Sequence, residues 1–388
     1  MTTALLLAVA CGENAGESVT VRDSARVRIV ESRVPVGLPF SLDTVPAFDI
    51  GPAAGAESEF ISHPVSAVRL PDHRIAAAGW AMTEVKVFDS LGRWVRSVGR
   101  SGGGPGEFEA LGFVYQGAGD SVLTFEPGTQ RLQRWTSALE PVDLALVVST
   151  GDQPAVWAMG SFDDGSLLLV GTRPGAPAPG DPVERQRKVL FRRRGNGAWD
   201  SLVSFATPPQ VRDPRFPGSM LGNALFSPNP SYHARHGRLA FSSGERFEIA
   251  IRGADGMLQS IVRRASEPRT VTGEERRRAL DAWAERMPVA VQEDMKPVML
   301  AASSSRIRPP VSQVWLAGDG RLWATYGNPD IGEPVRASVF DPEGRWEGDL
   351  ELPPGLTVNQ IDGDGILGTF IDDDGFSHLR FYRLVPTR

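Results

Sequence analysis

The chain has 388 residues, 41% of them hydrophobic and 23% charged, with 42 glycines and 31 prolines. That is a turn-rich composition with ample length for a large core. The net charge of −6 argues against a nucleic-acid binder, which needs a basic face to replace phosphate counterions. The single cysteine excludes an intramolecular disulfide.

Position gives that cysteine its meaning. Cys11 ends the apolar run Ala4-Leu5-Leu6-Leu7-Ala8-Val9-Ala10. The run is too short to span a bilayer but suits the core of a signal peptide. Small residues followed by Cys resemble the end of a bacterial lipoprotein signal, in which Cys11 is lipidated and becomes the mature N-terminus. No Lys or Arg precedes the run, which a start codon further upstream would explain. Gly12, not Asp, follows the cysteine, so the resemblance implies no inner-membrane retention. The expected place is the cell envelope, lipid-anchored and facing the periplasm or exterior. Residues 12–24 are polar and without periodicity and read as a tether. Residues 26–32 alternate and read as a strand, and 40–51 hold another.

Beyond residue 50 the chain repeats itself. Ile50-Gly51…Gly55…Glu59-Phe60 recurs as Val98-Gly99…Gly103…Glu107-Phe108. Val87-Phe88-Asp89-x-x-Gly92-Arg93-Trp94 recurs as Val339-Phe340-Asp341-x-x-Gly344-Arg345-Trp346, and Gly237-Arg238-Leu239 as Gly320-Arg321-Leu322. A period of about 40–50 residues points to four-stranded units, with propeller blades the leading case. Strands A to D of the first unit are expected at 65–70, 74–81, 84–89 and 94–99. The second unit takes 112–149, the third 155–207, and the fourth begins with an ill-defined strand within 224–234. The fifth takes 311–352. The sixth has three strands, at 356–361, 366–372 and 377–384. It lacks one strand where the N-terminus has one to spare. The fold expected is therefore all-β: a six-bladed β-propeller over 25–388, closed by an N-terminal strand, with 48–51 the better candidate.

The A–B turns fall near 72, 120, 164, 237, 320 and 365, and two steps are long by about 28 and 37 residues. The first excess divides between 173–186 and 208–222. The second, 267–310, is a helical insertion between units four and five. Thr272 and Glu275 make a capping box there, and Leu280, Trp283, Ala284 and Met287 an apolar stripe. In an up-and-down unit the B–C and D–A connections leave the same end, so all three insertions decorate one face. Arg212, Arg215, Phe216 and Trp283 are the candidate ligand or partner residues there. The insertion is expected to lie across the mouth of the ring with Trp283 packed inward.

The Gly-Pro-Gly-Glu-Phe loop, the Phe-Asp-x-x-Gly-Arg hairpin and the Asp-Gly-Arg-Leu-Trp strand opening resemble bacterial six-bladed β-propellers related to NHL repeats. The likeness is strongest over 40–126 and 311–388. It implies a fold and an exported location; relatives include binding scaffolds and a few enzymes, so it implies no one activity.

Catalytic patterns are sparse. The glycine-rich loop at 99–108 has no P-loop lysine and no following helix, and reads as a crossing between units with Phe108 in the gap. Among the five histidines only His233 and His236 are close, ahead of a turn, without a zincin pattern. Asp362-Gly363-Asp364-Gly365 and Asp372-Asp373-Asp374-Gly375 lack the twelfth-position Glu of an EF-hand and read as hairpin turns. Asn359 is the one amide worth watching for a channel ion. Gly218-Ser219-Met220-Leu221-Gly222 is not a nucleophile elbow. The reading is a monomeric, lipid-anchored, non-enzymatic binding or scaffold module, with no cofactor or metal, touching membrane only through its anchor. A metal-dependent hydrolase or lyase of the six-bladed type is the alternative.

Overall fold

A computed structural model describes residues 18–51, 64–143, 146–147, 156–172, 182–216, 220–328, 331–372 and 374–387. Cys11 lies outside them. The protein is mostly β, with two helices and many small antiparallel sheets in a β-propeller-like arrangement. Each of the larger sheets contains an up-and-down run of successive strands. The first holds Pro64–Arg69, Ile75–Gly79, Val85–Phe88 and Trp94–Val98. The second holds Phe113–Gln116, Val122–Glu126, Arg131–Trp135 and Leu146–Val147. The third holds Val156–Ser161, Leu167–Thr172, Arg187–Arg193 and Trp199–Ala206. The fourth has Ser231–Arg235, Arg238–Ser242, Glu248–Gly253 and Leu258–Arg264. The fifth has Gln313–Leu316, Leu322–Tyr326, Arg336–Phe340 and Trp346–Glu351, and the sixth Leu356–Asp362, Gly365–Ile371 and Ser377–Pro386.

Second strands are buried on both faces, and period two divides them. In the first sheet Ile75 and Ala77 pack toward the sixth sheet, while Ala76 and Ala78 pack toward the second. Leu167 and Leu169 pack with the second sheet; Leu168 and Val170 pack with the fourth. Leu322 and Ala324 join the fourth sheet, and Trp323 the sixth. These strands therefore read as unbroken apolar runs rather than as alternation.

The N-terminal segment is divided between two sheets. Phe48–Ile50 lies antiparallel on Ser377–Pro386, with Phe48 opposite Phe381 and Ile50 opposite Leu379. Phe40–Leu42 pairs with the far end of the same strand. Val27–Ser32 goes elsewhere: it runs parallel to Leu258–Arg264, on the outside of the fourth sheet. Val19–Ser24 then pairs antiparallel with it. The expected tether at 12–24 is thus corrected for its last six residues. Exposure of five of them hid the strand, because an outermost strand with little to bury carries no hydrophobic period. The first strand of the fourth sheet, sought within 224–234, is Ser231–Arg235.

Packing explains the hairpin repeat. Asp89 Oδ1 accepts from the amides of Leu91 and Arg93, both at 2.9 Å, and Asp341 Oδ1 from that of Arg345 at 2.8 Å. Gly92 and Gly344 have φ of +77° and +90°. A Cβ on Gly92 would meet Phe48 at 2.9 Å, and one on Gly344 would meet Val262 at 2.8 Å. Each hairpin presses on an outer strand of the sheet before its own, so the glycine serves both conformation and contact. Phe108 is fully buried and stacks 5.7 Å from Trp135, filling the gap between the first and second sheets as expected.

Removal of residues 1–51 should strip Phe48 and Ile50 from between the sixth and first sheets. Burial of each side chain is worth about 2–3 kcal/mol, and the deletion bares an edge strand. Urea unfolding and light scattering of the shortened protein should show lost stability and self-association. Unchanged stability would contradict this packing role.

Candidate functional site

Six strands, the first of each sheet, face one space. All contribute to the wall of a single cavity of ≈ 660 Å³. Phe113, Val114 and Tyr115 all line it, and alternation turns Phe113 and Tyr115 toward the third sheet and Val114 toward the first.

The wall is built from aromatic and neutral polar groups. His233, on Ser231–Arg235, accepts the Leu316 amide at Nδ1 over 3.1 Å, which leaves the ring proton on Nε2. Burial, and secondarily the charge of Arg235, lowers its pKa to about 3, so the ring is neutral at physiological pH. Trp315 packs on it at 5.1 Å. Burial pushes the Tyr232 phenol up to about 12, and raises Tyr115 as well. Asn359 Oδ1 accepts the Thr369 hydroxyl at 3.0 Å. Ser161 Oγ and Trp315 Nε1 are shielded from solvent and have no protein partner.

Charge gathers at the end where the inner strands turn into their neighbours: Asp120 and Asp163 line the cavity there, and two arginines pair with two further carboxylates. Arg235, in the fourth sheet, reaches Asp362 in the sixth at 2.8 Å. Arg69, in the first, reaches Asp364 at 2.7 Å and lies over the Phe381 ring at 4.5 Å. Gln360 donates to Asp362 at 2.7 Å and accepts the Arg69 amide at 2.9 Å. These bonds tie three sheets together across one rim. Asp362 and Asp364 serve this rim, and Asp372 caps the amides of Asp374 and Phe376. Among the described residues no group of three His, Cys, Asp or Glu side chains is placed to hold a metal ion.

The residues singled out on the insertions sit apart from this cavity. A small sheet of Val183–Glu184, Gln210–Val211 and Gly222–Asn223 joins the two insertions of the third unit. On it pack helix α1, Gly273–Glu285, and helix α2, Val289–Ala302. The capping box is present, with the Glu275 amide donating to Thr272 and the Thr272 amide to Glu275. Arg212 pairs with Glu184 at 2.6 Å. Arg215 pairs with Asp213 at 2.7 Å and with Asp294 of α2 at 2.6 Å. Both arginines thus bind the insertions to one another. Phe216 is exposed. Trp283 is buried beside Val211, Met295 and Met299, and its Nε1 donates to the Leu221 carbonyl at 2.9 Å. It packs inward, but against the insertions' own core, and 267–310 supplies no residue to the cavity wall.

The sequence places His233 and His236 close together, ahead of a turn, with no role for His233. It belongs to a strand, because the turn begins only at His236, whose φ is +52°. Tyr115, Tyr232 and Trp315 were not singled out at all. Their signal is period two within short inner strands, but only the assembled sheets show that those strands face one another.

No helix among the described residues is long and apolar enough to cross a membrane. No family model matches the chain, and no curated protein matches it significantly. Solved structures do. A member of the DUF4221 family from Bacteroides vulgatus is 9% identical at a TM-score of 0.50, covering 90% of this chain and 99% of that one. A protein described as exported from Bacteroides fragilis is 10% identical at 0.47, covering 92% and 99%. A gluconolactonase from Xanthomonas campestris is 12% identical at 0.44, covering 92% and 100%. At these identities the likeness is one of fold alone.

The neutral His233 has a consequence for stability. The unfolded chain takes up a proton near pH 6.5, which the folded ring resists until about pH 3. The unfolded state therefore binds more protons between these values, and stability falls as pH is lowered through that window. The limiting slope is about 1.4 kcal/mol per pH unit. Urea unfolding from pH 7 to 4 should be less pH-dependent in His233→Asn than in wild type. Equal slopes would mean that the ring titrates normally in the fold.

Proposed function

We propose that this protein is an exported, lipid-anchored β-propeller that binds a ligand in its central cavity without transforming it. The six sheets are read as six blades, closed by Phe48–Ile50. Contacts between successive sheets, and between the sixth and the first, support that reading. Export and anchoring rest on Cys11 and the apolar run before it. The observation that carries the binding function is the convergence of six inner strands on one cavity whose wall is aromatic and hydrogen-bonding, with Asp120, Asp163 and Arg235 at one end. Such a space can orient a small molecule through a few polar groups while rings cover its apolar parts. Ser161 Oγ and Trp315 Nε1 have bonding capacity that no protein group uses.

A hydrolase or lyase is the second reading. His233, Gln116 and Asn359 bring an imidazole and two amides from three sheets to the same cavity. His233 Nδ1 is engaged by a backbone amide, and among the described residues no group of three His, Cys, Asp or Glu side chains is placed to hold a metal.

Asn359→Trp should fill the cavity while leaving the sheets folded. Purified wild type and this variant are incubated with a small-molecule extract of bacterial envelopes, and retained compounds are identified by mass spectrometry. Wild type is expected to retain compounds, unchanged in mass, that the filled variant releases. Identical retention by both proteins would remove the cavity as the site, and mass-shifted products seen only with wild type would favour the enzyme. For the anchor, Cys11→Ser should abolish incorporation of labelled palmitate and move the protein out of the detergent phase. Equal partitioning of both, with no label in either, would eliminate the lipoprotein reading.

A further inference from the structure

Three aromatic rings gather at the end of the cavity wall opposite the paired charges. Phe113 opens the inner strand of the second sheet, and Trp157 is the second residue of the inner strand of the third. Trp80 directly follows Ile75–Gly79, where the chain leaves that strand at the same end. A bridge between Met82 and Leu111 confirms that this connection meets the segment leading into Phe113. The Phe113 ring lies 5.4 Å from that of Trp80 and 5.8 Å from that of Trp157, edge to face in both cases. The indoles are 6.4 Å apart at 84°. Phe113 also stacks on Tyr115 at 5.7 Å and 6°, and both line the cavity. A ladder of rings therefore runs from the surface into the cavity.

Its outer members are unusually exposed. Trp80 is 49% and Trp157 43% accessible, although each is held by ring contacts. Large apolar surface left in water beside a cavity marks a contact site. The arrangement also limits what fits. The three rings meet edge to face, at 76°, 82° and 84°, so they brace one another as separate faces and not as a slot for a chain of apolar side chains. The adjoining wall offers phenol, amide, indole and imidazole groups, so a fitting ligand needs an apolar face and a rim of hydroxyls. At the far rim Arg235 and Arg69 pair with Asp362 and Asp364, and Asp120 and Asp163 line the cavity as well, so the charge there does not favour an anionic ligand.

Resting on the cavity reading above, we propose that Trp80, Phe113 and Trp157 form a stacking platform for a neutral saccharide chain, which continues past Tyr115 into the cavity. A pyranose has the required chemistry: C–H bonds on one face meet an indole, while equatorial hydroxyls reach Asn359.

The test uses the purified protein with cellohexaose, maltohexaose, xylohexaose and chitohexaose, and with uridine as a planar control. Binding is read by saturation-transfer NMR and calorimetry. At least one oligosaccharide should bind and uridine should not. Trp80→Ala and Trp157→Ala should each weaken that binding about tenfold with unchanged melting curves. Should an alanine variant lose its fold, Trp80→Met and Trp157→Met keep bulk while removing the flat ring face. Unchanged affinity in the folded tryptophan variants would overturn the platform. Absence of any oligosaccharide binding, in protein whose wild-type and Asn359→Trp forms still retain different compounds, would overturn the saccharide while leaving the cavity reading intact. Loss of both differences would overturn both.

Discussion

Two-sided burial of the second strands is the constraint on which the rest of the structure depends. Ile75-Ala76-Ala77-Ala78 has no polar face, so a single sheet cannot satisfy it. Such a strand needs a neighbour on either side, and Ile75 and Ala77 find one in the cluster with Phe48, Leu367 and Phe381. Phe48–Ile50 pairs with the last strand of the sixth sheet, where Phe48 stacks on Phe381 at 5.8 Å. An array left open would expose both an apolar face and an unpaired edge. The repeated Asp-x-x-Gly hairpins serve the same end, since their glycines let the turn of one sheet sit on the outer strand of another.

The cavity follows from this packing rather than from any local motif. Inner strands have one edge on their own sheet and the other toward a shared interior. The residues there need not be apolar, because the energetic work of burial is done between sheets. That frees the wall to carry Tyr115, His233, Trp315 and Asn359. The two ends then differ by composition. One is bound together by Arg69, Arg235, Asp362 and Gln360, and the other carries half-exposed indoles. Only the first is held by charge, through the pairs of Arg235 with Asp362 and Arg69 with Asp364.

The insertions are a separate construction. Arg212, Arg215, Glu184 and Asp294 pair among themselves, and Trp283 buries against Val211 rather than against an inner strand. Arg308 pairs with Glu275 of α1 and, at 2.6 Å, with Glu333 of the fifth unit, which fixes the helices to the sheets. Through these pairs Arg212 and Arg215 hold the insertions together.

Local chemistry determined a good deal by itself. The strand periods, the Asp-Gly turns, the capping box at Thr272 and the place of Phe108 depend on neighbours in sequence or on a repeat, and all were legible there. The segment 48–51 was legible as a missing strand for the same reason. Val19–Ser24 was not, since an outermost strand buries too little to show a period. Nor was the parallel pairing of Val27–Ser32, whose partner lies more than two hundred residues away. The cavity was decided by tertiary structure alone. Tyr115, Tyr232 and Trp315 are unremarkable in their strands, and only the positions of whole sheets bring them together. Trp80, Phe113 and Trp157 likewise become one surface only after the first three sheets have packed, because ring contacts of this kind join residues that no local pattern relates.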